Sequence, residues 1–320
     1  MSDYRIERIT ADQFDLLVPL MKDCFGMDTD INYFKWKYVE NPAGSFIGFI
    51  ALQEATNEVA AYYGVIPQVL VIEGREQVIY QSCDTMTHSR HRRKGLFKKL
   101  ARACYDYLRE QDKLFIIGFG GADSTPGFLS FGWKQTASFR YYLRPSFLCR
   151  LLGRENAHIV ENPGDAILQS ILEKLEFPKA IHSPRTLRHL RWRTSNPRFQ
   201  YHITAIHKQR TGSGYIAWYV QDRKLIIFDL QADRGRARRI LLNALGSIVV
   251  KNNYRGLIAY AQDGGHTSQH FTHNLFFSNP FRKGPLSERT PFIFYATEEQ
   301  MQKFDHKKAW EMTAYDHDAL

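Results

Sequence analysis

The run Thr87-His88-Ser89-Arg90-His91-Arg92-Arg93-Lys94-Gly95-Leu96-Phe97-Lys98 joins two segments of opposite character. Before it, Gln77 to Thr87 reads as a strand. After it, Leu96 to Gln111 carries the stripe Leu96, Phe97, Leu100, Ala101, Cys104, Tyr107 and Leu108, the period of an amphipathic helix. A helix start leaves about four backbone N–H groups without partners and carries a partial positive charge. Gly95 lets the chain bend so that these groups converge. Arg92, Arg93, Lys94, Lys98 and Lys99 add side-chain charge. The pattern predicts an anion site suited to a pyrophosphate. By spacing alone, a solvated basic helix start would look the same.

Upstream, Leu16 to Cys24 has helical periodicity after the short alternating run Tyr4 to Ile9. Ser45 to Leu52, Val59 to Ile66, Val69 to Ile72 and Gln77 to Thr87 read as antiparallel hairpin strands, with turns at Ala55-Thr56-Asn57-Glu58 and Glu73-Gly74-Arg75. Downstream, Leu114 to Phe119 is wholly apolar, the pattern of a strand buried on both faces. A Gly-rich turn and a short helix ending near Gly132-Trp133 follow. Arg144 to about Arg185 is weakly patterned and holds one expected helix, Ala166 to Leu175.

The remainder partly repeats the beginning. Trp36-Lys37-Tyr38 with Asn41-Pro42 is matched by Trp192-Arg193-Thr194 with Asn196-Pro197, and Ala61-Tyr62-Tyr63 by Ala217-Trp218-Tyr219. Each is followed by a strand holding an acid (Asp84, then Asp229), a helix (Leu96 to Gln111, then Ala237 to Val250) and an apolar strand (Leu114 to Phe119, then Leu257 to Ala261). The same order in both halves implies duplication of one supersecondary unit. The expected fold class is mixed α/β (α+β). It comprises two related domains, residues 1–145 and 189–320, each a mostly antiparallel mixed sheet flanked by helices, with a connector at 146–188.

Composition sets the outer limits. The chain has 320 residues, 44% apolar and 14% aromatic, which excludes disordered, collagenous and small disulfide-scaffold classes. Its net charge of +10 favours anionic partners. Cys24, Cys83, Cys104 and Cys149 have no C-x-x-C spacing, so free thiols and a reducing compartment are expected. No stretch reaches the roughly 20 apolar residues of a membrane span and the N-terminus lacks a signal-peptide core. The expectation is a cytoplasmic protein with no membrane partner.

Thr87 to Phe97 resembles the coenzyme A loop of the GNAT acyltransferase superfamily. That loop has a Gln or Arg, two residues, a Gly, one residue, then Gly or Ala, between the fourth strand and third helix. Arg92 and Gly95 match, and Phe97 departs from the small third residue. The strand order and the Gly132-Trp133 ending fit as well. The resemblance covers about residues 4–143 well and 190–297 weakly; the second copy has only Ala232-Asp233-Arg234-Gly235-Arg236 at the loop. It implies acyl-coenzyme A as co-substrate of the first domain. The backbone of Met86 and Thr87 would meet the pantetheine. Arg92, Arg93, Lys94, Gly95, Leu96, Phe97 and Lys98 would hold the pyrophosphate, and Asp123 to Phe128, including Ser124, would border the thiol end.

The resemblance also exposes gaps. Positions where many GNAT enzymes carry a Glu or His base are Gln81 and Cys83, poor bases at neutral pH. The acid Tyr common in the later helix falls at Phe128. Direct attack by a neutral amine needs mainly positioning and carbonyl polarisation. Candidate catalytic groups are Asp84, Asp123 and His266, with His88, Asp263, His270 and His273 as further acceptors. By alternation Asp84 should face away from Gln81 and Cys83. His266-x-x-x-His270 lacks a third ligand, so no metal is expected. Trp36, Tyr62, Tyr63, Gln81 and Trp218 are candidates to line the acceptor cleft, each aromatic being equally suited to core packing.

Tandem GNAT-like proteins of this layout resemble enzymes of surface-polysaccharide pathways that N-acylate nucleotide-linked amino sugars. An anionic acceptor of that kind suits the basic chain. A small-amine or antibiotic acceptor is the alternative among enzymes. A non-catalytic nucleic-acid binder using Arg234, Arg236, Arg238 and Arg239 is the alternative of another class, less favoured because it leaves the loop unexplained. A homodimer is left open.

Overall fold

The computed structural model describes residues 3–121, 124–151, 159–177, 180–208, 212–281, 283–306 and 309–318. The strands are β1 Tyr4–Arg8, β2 Ile47–Gln53, β3 Val59–Ile72, β4 Arg75–Thr87, β5 Ile116–Phe119, β6 Lys134–Pro145, β7 Ile159–Glu161, β8 His202–Lys208, β9 Gly212–Gln221, β10 Lys224–Ala232, β11 Gly256–Gln262, β12 Phe277–Ser278 and β13 Arg289–Tyr295. The helices are α1 Leu17–Phe25, α2 Ile31–Phe34, α3 Leu96–Glu110, α4 Thr125–Leu129, α5 Ser146–Leu151, α6 Asp165–Leu172, α7 Leu187–Thr194, α8 Gly235–Lys251, α9 His266–His273 and α10 Glu298–Phe304. A π-helical turn, Lys35–Val39, extends α2.

The class is α/β, a mostly antiparallel mixed sheet flanked by helices, as the sequence implies. All the strands join one 13-stranded sheet in the order β1-β2-β3-β4-β5-β13-β6-β11-β10-β9-β8-β7, with β12 on β6. The two runs read as separate strands, Val59 to Ile66 and Val69 to Ile72, form one continuous β3 through Pro67. Pairing with β2 ends at Val65, so Pro67 has no neighbour on that edge whose ladder it could break.

The middle of the sheet carries an exchange. β6 follows β5 in sequence, yet β5 pairs with β13 from the far end of the chain, at Phe119↔Phe292 and Gly118↔Ile293. β6 pairs instead with β11, along Gly256↔Pro145 to Gln262↔Phe139. β6 and β13 lie antiparallel between them. Each half of the sheet is therefore completed by a strand from the other half of the chain.

α3 buries Leu96, Leu100, Ala101, Cys104, Tyr105 and Leu108 on one face of β2–β5. α1, α2 and the π-turn cover the opposite face through Leu20, Phe34, Trp36 and Tyr38, joined by Phe14 from the turn Ala11–Leu16. α8 covers the second half through Ile240, Leu241, Leu245 and Val249. Trp36 and Trp192, 156 residues apart, make a reciprocal joint: Trp36 Nε1 donates to the Trp192 carbonyl (2.7 Å) and Trp192 Nε1 to the Trp36 carbonyl (2.8 Å). Their rings stack at 5.4 Å. Past β13 and α10, the tail from Thr313 to Asp318 is buried between the halves.

Candidate active site

The basic loop forms as its sequence suggests. Arg93 and Gly95 have positive φ, 63° and 71°, and Gly95 caps the N-terminus of the 15-residue α3. The turn aims the first α3 amides outward, where Arg92, Arg93 and Lys98 are exposed. Lys94 is drawn back: its Nζ donates to Tyr4 Oη at 2.8 Å and lies over that ring. Leu96 is core. Phe97, at the position where a small residue is usual, meets Phe128 edge-to-face at 5.1 Å. Gly127 makes the room, since a Cβ there would stand 2.9 Å from the Phe97 ring.

Beside the loop the sheet opens. β4 and β5 pair in parallel only at Tyr80↔Ile116 and Gln81↔Ile117. Beyond Gln81, β4 runs on to Thr87 against β3, while β5 turns to β13. Among the described residues, no strand covers the β5-side edge of Cys83 to Thr87. The result is a wedge with Gln81 at its apex and the α3 N-terminus at its mouth. Thr87 ends that edge, its carbonyl accepting from Arg92 Nε at 3.4 Å. Ser124 closes the turn before α4, its Oγ accepting from Gly121 N at 3.1 Å.

On the face opposite α3, the apex meets a buried ionic cluster. β4 bulges: Tyr62 pairs with Met86 but Gly64 with Cys83, so Asp84 and Thr85 together face Tyr63, and Asp84 takes φ 46°. The bulge breaks the alternation expected for Asp84. Its side chain turns to the same face as Gln81 and Cys83, where Oδ1 accepts from Lys37 Nζ (2.9 Å) and Oδ2 from Tyr38 Oη (2.7 Å). Lys37 sits in the π-turn and also donates to Tyr33 Oη (3.3 Å) and to Asp318 Oδ2 (3.1 Å). Gln81 Nε2 donates to the other Asp318 oxygen at 3.3 Å, and Gln68 Nε2 donates to Gln81. The tail that brings Asp318 here is held by Gln68 Nε2 on the Asp316 carbonyl (3.2 Å) and Arg193 on the His317 carbonyl (2.7 Å). The His317 ring packs on Phe119 at 4.5 Å.

Electrostatics follow from burial and pairing. Burial pulls the Lys37 ammonium down, but Asp84, Tyr33 and Asp318 outweigh it, and the group stays charged, well above its ordinary value. Burial pushes the Asp318 carboxyl up; Lys37 above all, with Arg193, outweighs it and holds it ionised, below its ordinary value. Burial pushes the Cys83 thiol far up, so it is a protonated spectator rather than a nucleophile.

The remaining candidates disperse. Tyr63 is fully buried under α3 with Tyr105 and does not line a cleft. Tyr62 packs over Gly64 in the α1 face core. Trp36 is taken by its joint with Trp192. Trp218 lies in the second core, stacked on His202 at 4.5 Å, with Nε1 on Thr204 Oγ1. Phe128 is core as well, 4% exposed, too closed to border a thiol directly. His266 starts α9, its amide on Glu311 Oε2 and its ring 4.3 Å from His270; among the described residues no hydrogen bond or ring contact joins it to β4. Asp123 lies outside the described residues. All four cysteines are free. Glu58, His88 and His91 bring three potential ligand atoms within 4.8 Å of one another. His88 Nδ1, however, accepts from Arg90 N at 3.2 Å, which puts the ring proton on Nε2, the atom facing Asp23 and Glu58.

Sequence reading passed over Lys37, Asp318 and the whole tail. The one available signal was the basic residue following Trp in both copies, Lys37 and Arg193; both now hold the tail.

Residues 5–136 match a family model described as an acetyltransferase (GNAT) domain. No curated protein matches the chain. Among solved structures, a probable N-acyltransferase from Enterococcus faecalis aligns with TM-score 0.71 at 11% identity, covering 94% of this chain and 74% of that one. A GCN5-related N-acetyltransferase from Kribbella flavida aligns at 0.65 and 15% identity, over 93% and 72% of the two chains. Saccharomyces cerevisiae N-myristoyltransferase with bound myristoyl-CoA aligns at 0.62 and 12% identity, over 92% and 79%. At these identities the likeness is one of fold. No helix among the described residues is long and apolar enough to cross a membrane.

Proposed function

We propose, from the match of residues 5–136 to an acetyltransferase (GNAT) domain, that the chain is an acyl-coenzyme A-dependent N-acyltransferase whose acceptor is the amine of a nucleotide-linked amino sugar. The observation that carries the acyl-transfer reading is the wedge: an uncovered β4 edge whose mouth is the Arg93–Gly95 turn and the open end of α3. Pyrophosphate at the mouth and pantetheine along Met86 and Thr87 would place a thioester near Gln81.

The acceptor reading rests on charge and on division of labour. A chain of net +10 attracts an anionic acceptor. Residues 1–145 would hold acyl-coenzyme A. Residues 189–320, with the connector 146–188, would supply the acceptor side, in a cytoplasmic enzyme of surface-polysaccharide biosynthesis. Attack is direct, in a ternary complex, which agrees with the protonated, buried Cys83.

Steady-state kinetics with acetyl-coenzyme A test the acceptor. kcat/KM for a nucleoside-diphosphate amino sugar should exceed that for the free sugar by about tenfold or more, because remote nucleotide contacts supply binding energy used in positioning. Equal values would move the acceptor to a small amine.

A further inference from the structure

Three irregularities meet at one point of the sheet. The helix before β2 widens into a π-turn at Lys35–Val39, a non-glycine residue of β4 is held at φ 46°, and the chain's tail threads between the halves. Such departures cost energy and concentrate at functional sites. Their product is the Lys37–Asp84–Asp318 cluster, where two carboxylates share one ammonium.

Lys37 and Asp84 already form a balanced pair, and Asp84 has Tyr38 besides. Asp318 is the second carboxylate on that ammonium, and Arg193, which donates to the His317 carbonyl, adds positive charge beside it. A buried carboxylate of this kind is kept only by such pairing and hydrogen bonding. The ammonium is sealed, its side chain 1% exposed, whereas the carboxylates keep 9% at Asp84 and 10% at Asp318. Asp318 also hydrogen-bonds Gln81, the wedge apex and the β4 position that lacks a base.

We infer that Asp318 is the catalytic residue on the acceptor side: delivered from the tail, its carboxylate accepts an N–H of the incoming amine and aims the nitrogen lone pair at the thioester. The inference rests on the acyl-transfer reading above. The nitrogen attacks the thioester carbon, the C–N bond forms and the carbonyl electron pair moves to oxygen. The carbonyl reforms, the C–S bond breaks and the thiolate leaves. Asp318 is a good acceptor but a weak base, so the proton lost by nitrogen does not stay on it. The proton passes along the carboxylate to the departing thiolate, since an alkyl thiolate is a far stronger base than a carboxylate. Carboxylate, amide and coenzyme A thiol are the products.

The test compares wild type, Asp318→Asn and Asp318→Glu in the full chain. Acetyl-coenzyme A affinity is measured by calorimetry. Acylation is measured on UDP-glucosamine, glucosamine and glycylglycine, and variants are assayed on whichever amine wild type acylates fastest. Asp318→Asn leaves Lys37 and Asp84 paired, so it should fold and bind acetyl-coenzyme A like wild type while kcat falls about a hundredfold or more. Asp318→Glu restores the charge and should recover part of that loss. An Asn variant within about threefold of wild-type kcat overturns the role of Asp318 and leaves the acyl-transfer reading standing. Loss of the melting transition in both variants assigns the carboxylate to folding and overturns it equally. A wild type that binds acetyl-coenzyme A but acylates none of the three amines overturns the transferase reading, and this inference with it.

Discussion

Gly95 stands at φ 71°, and a Cβ there would meet nothing within 4 Å. The turn therefore needs glycine for its backbone angle and for what approaches it, not for lack of room. Gly95→Asp should cost little stability, because Asp tolerates the left-handed region better than most residues. Its carboxylate, however, would face an incoming pyrophosphate, and coenzyme A affinity should fall at least about a hundredfold in a calorimetric titration. Retained wild-type affinity would remove the loop from the cofactor site. Cys83 makes the converse case. Buried and protonated, with polar contacts to Tyr38 Oη and the Gly64 carbonyl at 3.8 Å, it is poorly placed for nucleophilic duty. Cys83→Ala should keep kcat within about threefold, and intact-mass measurement during turnover should find no acylated cysteine. An acyl adduct at Cys83 would replace direct attack with a ping-pong route.

At the scale of elements, the exchange of β6 and β13 decides what can fold alone. A fragment ending at residue 145 would leave β5 without β13, and β6 without β11, β12 and β13. It would also expose Phe139, fully buried in a core shared with Tyr260, Phe292 and Trp310. Unpaired strand edges and lost apolar burial together outweigh the few kcal/mol by which domains are stable. The fragment should show no cooperative melting transition and should bind a hydrophobic dye. A cooperative transition in calorimetry would mean that β6 can return to β5. The strand that ends at residue 145, where the sequence reading places a boundary, pairs with β11 and β13 from the far end of the chain.

The molecule as a whole carries buried histidines that set its acid limit. His189, bonded to Tyr315 Oη and stacked on Trp192, is pushed down to about 3 by burial and then by Arg193 and Arg185. His317 is pushed down to about 4 by burial, with Arg193 and Lys37 adding to the effect against Asp318. Both start from 6.5 in the unfolded chain. Between those values the unfolded state binds protons that the folded state refuses. Stability is therefore fully present above about pH 6.5 and declines as pH falls toward 4. Since each pH unit of such a shift is worth roughly 1.4 kcal/mol per histidine, the melting temperature should drop by several degrees between pH 7 and pH 5. His189→Gln should flatten that slope. A melting temperature constant over this range would show that these rings are not held neutral.

What the sequence determined is what short-range chemistry can encode. The stripe from Leu96 to Leu108 places α3, and the φ freedom of Gly95 with its basic neighbours makes the loop. The apolar run at Leu114 to Phe119 supplies the buried β5, and the paired Trp-basic motifs mark the two halves. Each signal spans a few residues and survives whatever the rest of the chain does. The tertiary structure decided the bulge that turns Asp84 to the other face, the exchange of β6 and β13, and the seating of Asp318 against Lys37, 281 residues away in the chain. No local period encodes these. A bulge depends on what the neighbouring strand offers, and a contact between chain ends is closed at an entropic cost that grows only slowly with the length of the loop. The energy that fixes such contacts resides in partners brought together by folding: an ammonium already buried beside β4 can select, from the far end of the chain, the carboxylate that reaches it.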